Sequence, residues 1–582
     1  MLTLAVAQQI ALSQQSALAQ QSALAQQTTV VQQTATRLSP TPAAPAGPAP
    51  RPSTPTRADI FRGAYGPYRA NNDLLYYHLD LRVDPVAKSI AGRNTIRFKM
   101  LSDGTRIQLD LTETLAVDSI TIGKQPLHYT RDVGAVFIDF PYLLKAGQTY
   151  SIVFAYSGHP IAKGRFGGMS FEQDAAGRPW IFTACEDDGS SIWWPSKDQW
   201  RDEPQEGMDI SVAVPNGLSD ISNGRFVSKV DLKDGYTEWN WRVTYPINSY
   251  DVALNIGAYV HFSDVYRNPS FPDLSLDFYA LPEDLEKAKS QFVQANGMLD
   301  AFEHYFGEYP FARDGYKLIE VPYAGMEHQS AVAYGNHFAN GYFVSPDWTG
   351  VGISPRFDFI IIHESGHEWF GNSISAADRA DMWIHEAWTT YLETLFVEFH
   401  YGRPDAIKYT SGLVAKVRNQ VPIVGERGVN ADPPQDQYFK GALMIATLRS
   451  MLATGSAAED DRRWFTLLHD FYQHFKYQNI LTEDVIAWWN QNTHLDLTPF
   501  FNQYLRHTAI PTLELQFDPA TQSVLYKWQA EEPGFSMPIK VGSRTHWQTI
   551  HPTLEWQTLR TPLGKVEFEV ATDLFYVNVS KT

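Results

Sequence analysis

The chain has 582 residues, 13% of them aromatic, and a formal net charge of -18 from 47 basic and 65 acidic residues. That length calls for about two to four domains, and the acidic balance argues against nucleic acid or an anionic membrane as the main partner. The single cysteine, Cys185, excludes an internal disulfide and thiolate zinc sites of the C-x-x-C type, and no apolar run is long enough to span a membrane.

Residues 1–57 read as a tail rather than a domain. The repeat S-Q-Q-S-A-L-A-Q-Q-S-A-L-A-Q-Q gives way to the Pro-rich T-P-A-A-P-A-G-P-A-P-R-P-S-T-P-T, an extended linker. The opening M-L-T-L-A-V-A-Q-Q resembles the end of a signal region without its basic start, so the expectation is export to a periplasmic or extracellular location rather than a cytoplasmic one.

Residues 58–262 carry a period of two. Tyr77, Leu79, Leu81 and Val83 alternate with His78, Asp80 and Arg82, and 95–100, 151–154 and 209–214 behave alike, which predicts an N-terminal β domain. Within it, 184–189 and Trp193-Trp194-Pro195 read as a packed aromatic loop. From Pro282 the period lengthens: Leu285, Ala288, Phe292, Ala295, Leu299, Phe302 and Phe306 predict one amphipathic helix. A short strand at 317–322 follows, then helical text to about 507, with Thr482 as a helix cap. This makes 263–509 a mainly helical catalytic domain with a small sheet. Alternation returns over 510–582, at Leu513, Leu515 and Phe517, at Val524, Tyr526 and Trp528, and around Phe568, Phe575 and Val579, predicting a small C-terminal β-sandwich.

The chemistry concentrates in Phe357–Glu393. His363-Glu364-x-x-His367 places two imidazoles on one helix face, and Glu386 follows after eighteen residues in a second helical run. Two His and one carboxylate leave a fourth zinc position for water, the arrangement of a catalytic site. The Ile360-Ile361-Ile362 run buries this helix, and a buried acid such as Glu386 needs a partner that a metal supplies. Glu364, beside the ion without being a ligand, can take the water's proton and hand it to a leaving amine, which is peptide-bond hydrolysis. A neutral Tyr phenol would steady the oxyanion, and Tyr438 in D-Q-Y-F-K-G-A-L is the candidate among 29 tyrosines.

With these motifs the chain resembles the aminopeptidase N family of zinc peptidases, the gluzincins that include leukotriene hydrolase-like enzymes. The zinc motif matches in residues and spacing; Tyr391, Glu393, Asp381 and Tyr438-Phe439-Lys440-Gly441 match as well, and Asp202-Glu203-Pro204 resembles a further family motif. The family's Gly-x-Met-Glu-Asn corresponds to Ala324-Gly325-Met326-Glu327-His328, with Ala324 and His328 departing from it. The resemblance implies a thermolysin-like catalytic domain and one zinc ion. It implies that Glu327 binds the free α-amine of a peptide, with Glu186 beside it where relatives carry Gln. It therefore implies a zinc metallo-aminopeptidase, an exopeptidase acting on peptides with a free N-terminus. A zinc endopeptidase or non-peptide hydrolase on the same scaffold, and a catalytically inactive binding scaffold, are the alternatives.

Overall fold

The computed structural model describes residues 54–162, 167–543 and 545–582. The repeat, the apolar start and nearly all of the expected Pro-rich linker lie outside the described residues. Near the start of the described residues Thr56 caps the helix Arg57–Gly63 reciprocally with Asp59, so Arg57 belongs to a helix rather than to the linker.

The N-terminal part is β-rich, as its alternation predicts. Asn72–Asp84 pairs antiparallel with Ser89–Met100 and parallel with Met208–Pro215 in an eight-stranded sheet. Tyr77, Leu79, Leu81 and Val83 all point into the core. A three-stranded sheet, formed by Gly104–Asp110, Ala135–Leu144 and His128–Asp132, packs on it, with the rings of Phe98 and Phe140 6.2 Å apart. A separate four-stranded sheet, with Pro179–Ala184 at its centre, leads into the aromatic loop. There Cys185, Trp193 and Trp194 are buried, and Asp198 accepts the backbone N–H groups of Ser190 and Ser191. The loop is closely packed, as its sequence suggests.

The expected domain boundary after residue 262 falls inside a strand. Val260–Tyr266 already belongs to the catalytic domain's five-stranded sheet, where it pairs with Leu274–Ala280. The single helix expected from Pro282 is two, Leu285–Gln291 and α1 (Gln294–Phe306). The break falls at Phe292, whose buried ring packs on Phe278 and Tyr334. Thr482 is not a cap either: it is the first residue of its helix, and its hydroxyl donates to Asp381 at 2.5 Å, while Asp484 accepts the N–H of Leu481. The C-terminal residues form a four-stranded and a three-stranded sheet, joined at the rings of Phe517 and Phe568, 5.5 Å apart. Phe568 and Phe575, expected in strands, lie outside them, the first just before Glu569–Val570 and the second between that strand and Asn578–Lys581.

Three further helices frame the site. α2 (Phe359–Gly366) carries the first part of the zinc motif, α3 (Trp383–Tyr401) carries Glu386 in its first turn, and α4 (Asp436–Met451) carries Tyr438. Asp358 caps α2 by accepting the N–H groups of Ile360 and Ile361. α4 packs so closely on α3 that a Cβ added to Gly441 would lie 2.4 Å from Cβ of Ala387. This explains the glycine in the Tyr-Phe-Lys-Gly run: it sets the distance between the helix of Tyr438 and the helix of Glu386. Gly441→Val is expected to destabilise the fold by about 1–3 kcal/mol and to displace Tyr438. Denaturant unfolding of the variant, with residual peptide hydrolysis, checks both.

Candidate active site

His363 lies on α2 and His367 caps its end, their rings 4.9 Å apart at 87°. The two Nε2 atoms are 3.4 Å apart, and Glu386 Oε2 is 3.5 Å from each. A tetrahedral zinc with bonds of about 2.0–2.1 Å spaces its ligand atoms by roughly 3.4 Å, so this triangle fits the ion. The hydrogen bonds agree. His363 Nδ1 lies 2.7 Å from Glu393 Oε1, and His367 Nδ1 lies 3.0 Å from the carbonyl of Phe370. Both Nδ1 atoms therefore carry protons, which leaves both Nε2 lone pairs directed at the same point as Glu386 Oε2, a buried oxygen with no hydrogen-bond partner. Glu393 is held in turn by the hydroxyl of Tyr409 at 2.6 Å.

Glu364, one residue along α2, is buried among further acids. Burial pushes its carboxyl up to about 7, the nearby His363 opposing this and Glu327 adding to it, before any bound cation is counted. It rests against the strand Gly325–Met326, and a Cβ on Gly325 would lie 2.7 Å from Glu364 Oε1. The glycine next to Ala324 is thus the position that admits the base. One atom each of Glu327, Glu364 and His367 also falls within a sphere of contact, all within 4.8 Å of one another.

Glu327 is buried; its carbonyl accepts Asn372 Nδ2 at 2.7 Å and its Oε1 accepts the Tyr250 hydroxyl at 3.2 Å. Glu186 is brought to the same place. Burial raises its carboxyl well above the usual carboxylate range, with the charges of Glu327 and Glu386 adding to it, and its Oε1 has no hydrogen-bond partner. Tyr438 is half-buried, its ring 6.1 Å from that of His363; burial, then the charge of Glu386, holds the phenol neutral. The structure therefore assembles all seven residues singled out in the sequence.

Other motif residues prove architectural. Asp381 takes a bidentate pair from Arg427 at 2.7 and 2.8 Å, Lys440 donates to the carbonyls of His507 and Thr508, and Tyr391 accepts Trp464 Nε1. Asp202 pairs with buried Lys197, and Glu203 accepts Asn479 from the catalytic domain. His328 is fully buried with neither ring nitrogen bonded, and burial lowers it to about 3, so it stands neutral beside Glu327.

Sequence reasoning missed a stack of rings behind Glu327. Trp200 packs on both Tyr250 and His385, with centroids 4.9 and 5.3 Å away and those two rings 6.4 Å from each other, and His385 Nε2 accepts the N–H of Ala376. These residues come from three distant segments, and no spacing links them. Arg379, which donates to the carbonyls of Glu186 and Asp187, was equally invisible.

Two buried imidazoles and a carboxylate converging on one point, with a second carboxylate beside them, define a zinc peptidase of the H-E-x-x-H class. Two family profiles cover most of the folded chain: Peptidase M1 N-terminal domain over residues 74–250 and Peptidase family M1 domain over 291–504. The chain belongs to peptidase family M1. It is 23% identical to aminopeptidase B of Rattus norvegicus, over 82% of this chain and 77% of that one. It is 21% identical to endoplasmic reticulum aminopeptidase 1 of the same species, over 60% of this chain and 37% of that one. An M1 zinc metallopeptidase of Deinococcus radiodurans shares the fold at a TM-score of 0.62 and 19% identity, over 76% of this chain and 94% of that one.

The Glu393 carboxylate fixes the ring of His363 without touching the metal. Glu393→Gln is expected to weaken zinc affinity about 10–100-fold, measured by competition with a chromogenic chelator.

Proposed function

We propose that the chain is a zinc aminopeptidase that removes the N-terminal residue from peptides. The observation that carries this reading is the position of Glu327: a buried carboxylate within reach of both Glu364 and His367, with Glu186 beside it. A substrate ammonium is the natural partner for two such acids, and holding it there leaves only the first peptide bond at the reacting centre.

In this reading His363, His367 and Glu386 hold the zinc, which when bound acts as a Lewis acid and lowers the pKa of water. Glu364 accepts the proton of the attacking water as its oxygen bonds to the scissile carbonyl carbon. The same carboxyl then passes that proton to the nitrogen as the C–N bond breaks, so the products are a free amino acid and a shortened peptide with a new amine. The Tyr438 phenol, kept neutral by its surroundings, donates to the oxyanion. Glu327 and Glu186 keep the substrate amine in register, and Tyr250 holds the Glu327 carboxylate in place. Export from the cytoplasm belongs to the same proposal and rests on the opening residues alone.

Glu364→Gln is expected to lower kcat by about 10²–10⁴-fold while metal analysis still finds zinc bound; undiminished turnover in that variant would sink the mechanism. A chelator is expected to abolish activity and added zinc to restore it. Acetylating the substrate's N-terminus is expected to remove most of the rate. Equal rates on free and acetylated peptides would make the protein an endopeptidase.

A further inference from the structure

A cavity of about 570 Å³ lies where the N-terminal part meets the catalytic sheet, and no residue of the zinc or amine site lines it. That size is in the range of small-molecule sites, which favour such seams. One wall is the hairpin of Arg225–Asp231 and Tyr236–Val243, which pair antiparallel. The other is the sheet of Val260–Tyr266, Leu274–Ala280 and Tyr316–Glu320. Four cations line the cavity, Arg225, Lys229, Arg313 and Lys317, against two carboxylates, in a chain whose net charge is -18.

None of the four cations is ion-paired to a carboxylate among the described residues. Arg225 donates to the carbonyl of Arg313 through Nε and Nη2 at 3.1 and 2.7 Å, Arg313 donates to the carbonyl of Thr244 at 3.0 Å, and Lys229 Nζ lies 5.2 Å over Trp239. The two carboxylates are engaged elsewhere. Asp277 pairs with His261 Nε2 at 2.7 Å, and Asp314 accepts the N–H and the hydroxyl of Thr244 at 2.9 and 2.6 Å. Lys317 is the deepest of the cations. It lies in the middle strand of the five-stranded sheet, is only 2% exposed, and donates one of its three N–H bonds to the carbonyl of Gly224. Burial lowers its pKa to about 8, with Asp314 opposing, so it is an ammonium at neutral pH. A buried ammonium without a carboxylate is costly, and an anionic guest supplies the missing charge.

We propose that this cavity binds a small anion carrying a flat aromatic ring, with the anionic group at Lys317 and the ring against Phe226 and Trp239. The ring centroid of Phe226 lies 5.8 Å from that of Trp239 and 5.3 Å from that of Trp241, and Lys317 Nζ lies 5.5 Å over Trp241, so the cation and the aromatic wall adjoin. Phe226 is 47% exposed, an apolar ring that a flat guest would cover. The buried indole N–H of Trp239 has no acceptor and is a further donor for the guest. Aryl carboxylates and nucleoside phosphates share this chemistry. The site is opposite in sign to the acidic pocket at Glu327, so its ligand is not the amine end of a peptide, and the proposal stands apart from the aminopeptidase reading.

The test is calorimetric titration of the full, zinc-loaded chain with indole-3-propionate, adenosine monophosphate, inorganic phosphate and 3-methylindole. At least one of the two ring-bearing anions is expected to bind about tenfold or more tighter than both inorganic phosphate and neutral 3-methylindole. Which of the two leads tells an aryl carboxylate from a nucleoside phosphate. Lys317→Met is expected to weaken that binding about 10–100-fold and Trp239→Ala about tenfold, each with the zinc content of wild type. Affinities unchanged in both variants would place the ligand elsewhere, the metal included, and overturn the proposal. So would inorganic phosphate or 3-methylindole binding as tightly as the ring-bearing anions, or no binding of either anion.

Discussion

The structure depends on how four buried carboxylates are tolerated. Glu186, Glu327, Glu364 and Glu386 crowd one pocket, and burial alone would drive each toward its neutral form. Glu386 escapes this: with two imidazoles at 3.5 Å its carboxyl falls well below the usual carboxylate range despite burial. A dication at that triangle offsets part of this charge, and under the proposed function an ammonium at Glu327 offsets more of it.

The surrounding fold serves to keep these groups from drifting apart. Asp381 ties the start of α3 to Arg427 and to the helix at Thr482. Gly441 lets α4 rest directly on α3. Asn372 holds the backbone of Glu327, and Arg379 clamps the loop of Glu186 from the catalytic side. Each contact is small in free energy, yet a shift of about 1 Å at a metal or proton-transfer site is costly in rate.

What was legible in the sequence followed regular periods. The alternation at Tyr77–Val83 gave a strand, and the four-residue step from His363 to His367 gave a shared helix face, because both patterns survive whatever the tertiary context. Glu386 was legible for its spacing and apolar frame. Glu327, and still more Glu186, came into view through the resemblance, since nothing local marks a lone acid as an amine anchor. The misses are tertiary. Thr482 looks like a cap, but Asp381, a hundred residues away, draws its hydroxyl. The helix break at Phe292 has no glycine or proline to announce it, and Trp200, Tyr250 and His385 meet only because two domains close on each other.

That closure makes the pocket the joint product of two parts of the chain. Glu186, Trp200 and Tyr250 precede the catalytic sheet in the chain, while the metal ligands and the proton carrier follow it. Tyr250 donates across the seam to Glu327, and the Glu186 carboxyl feels the charges of Glu327 and Glu386, so a small slip between the halves alters the pocket while leaving every side chain in it unchanged.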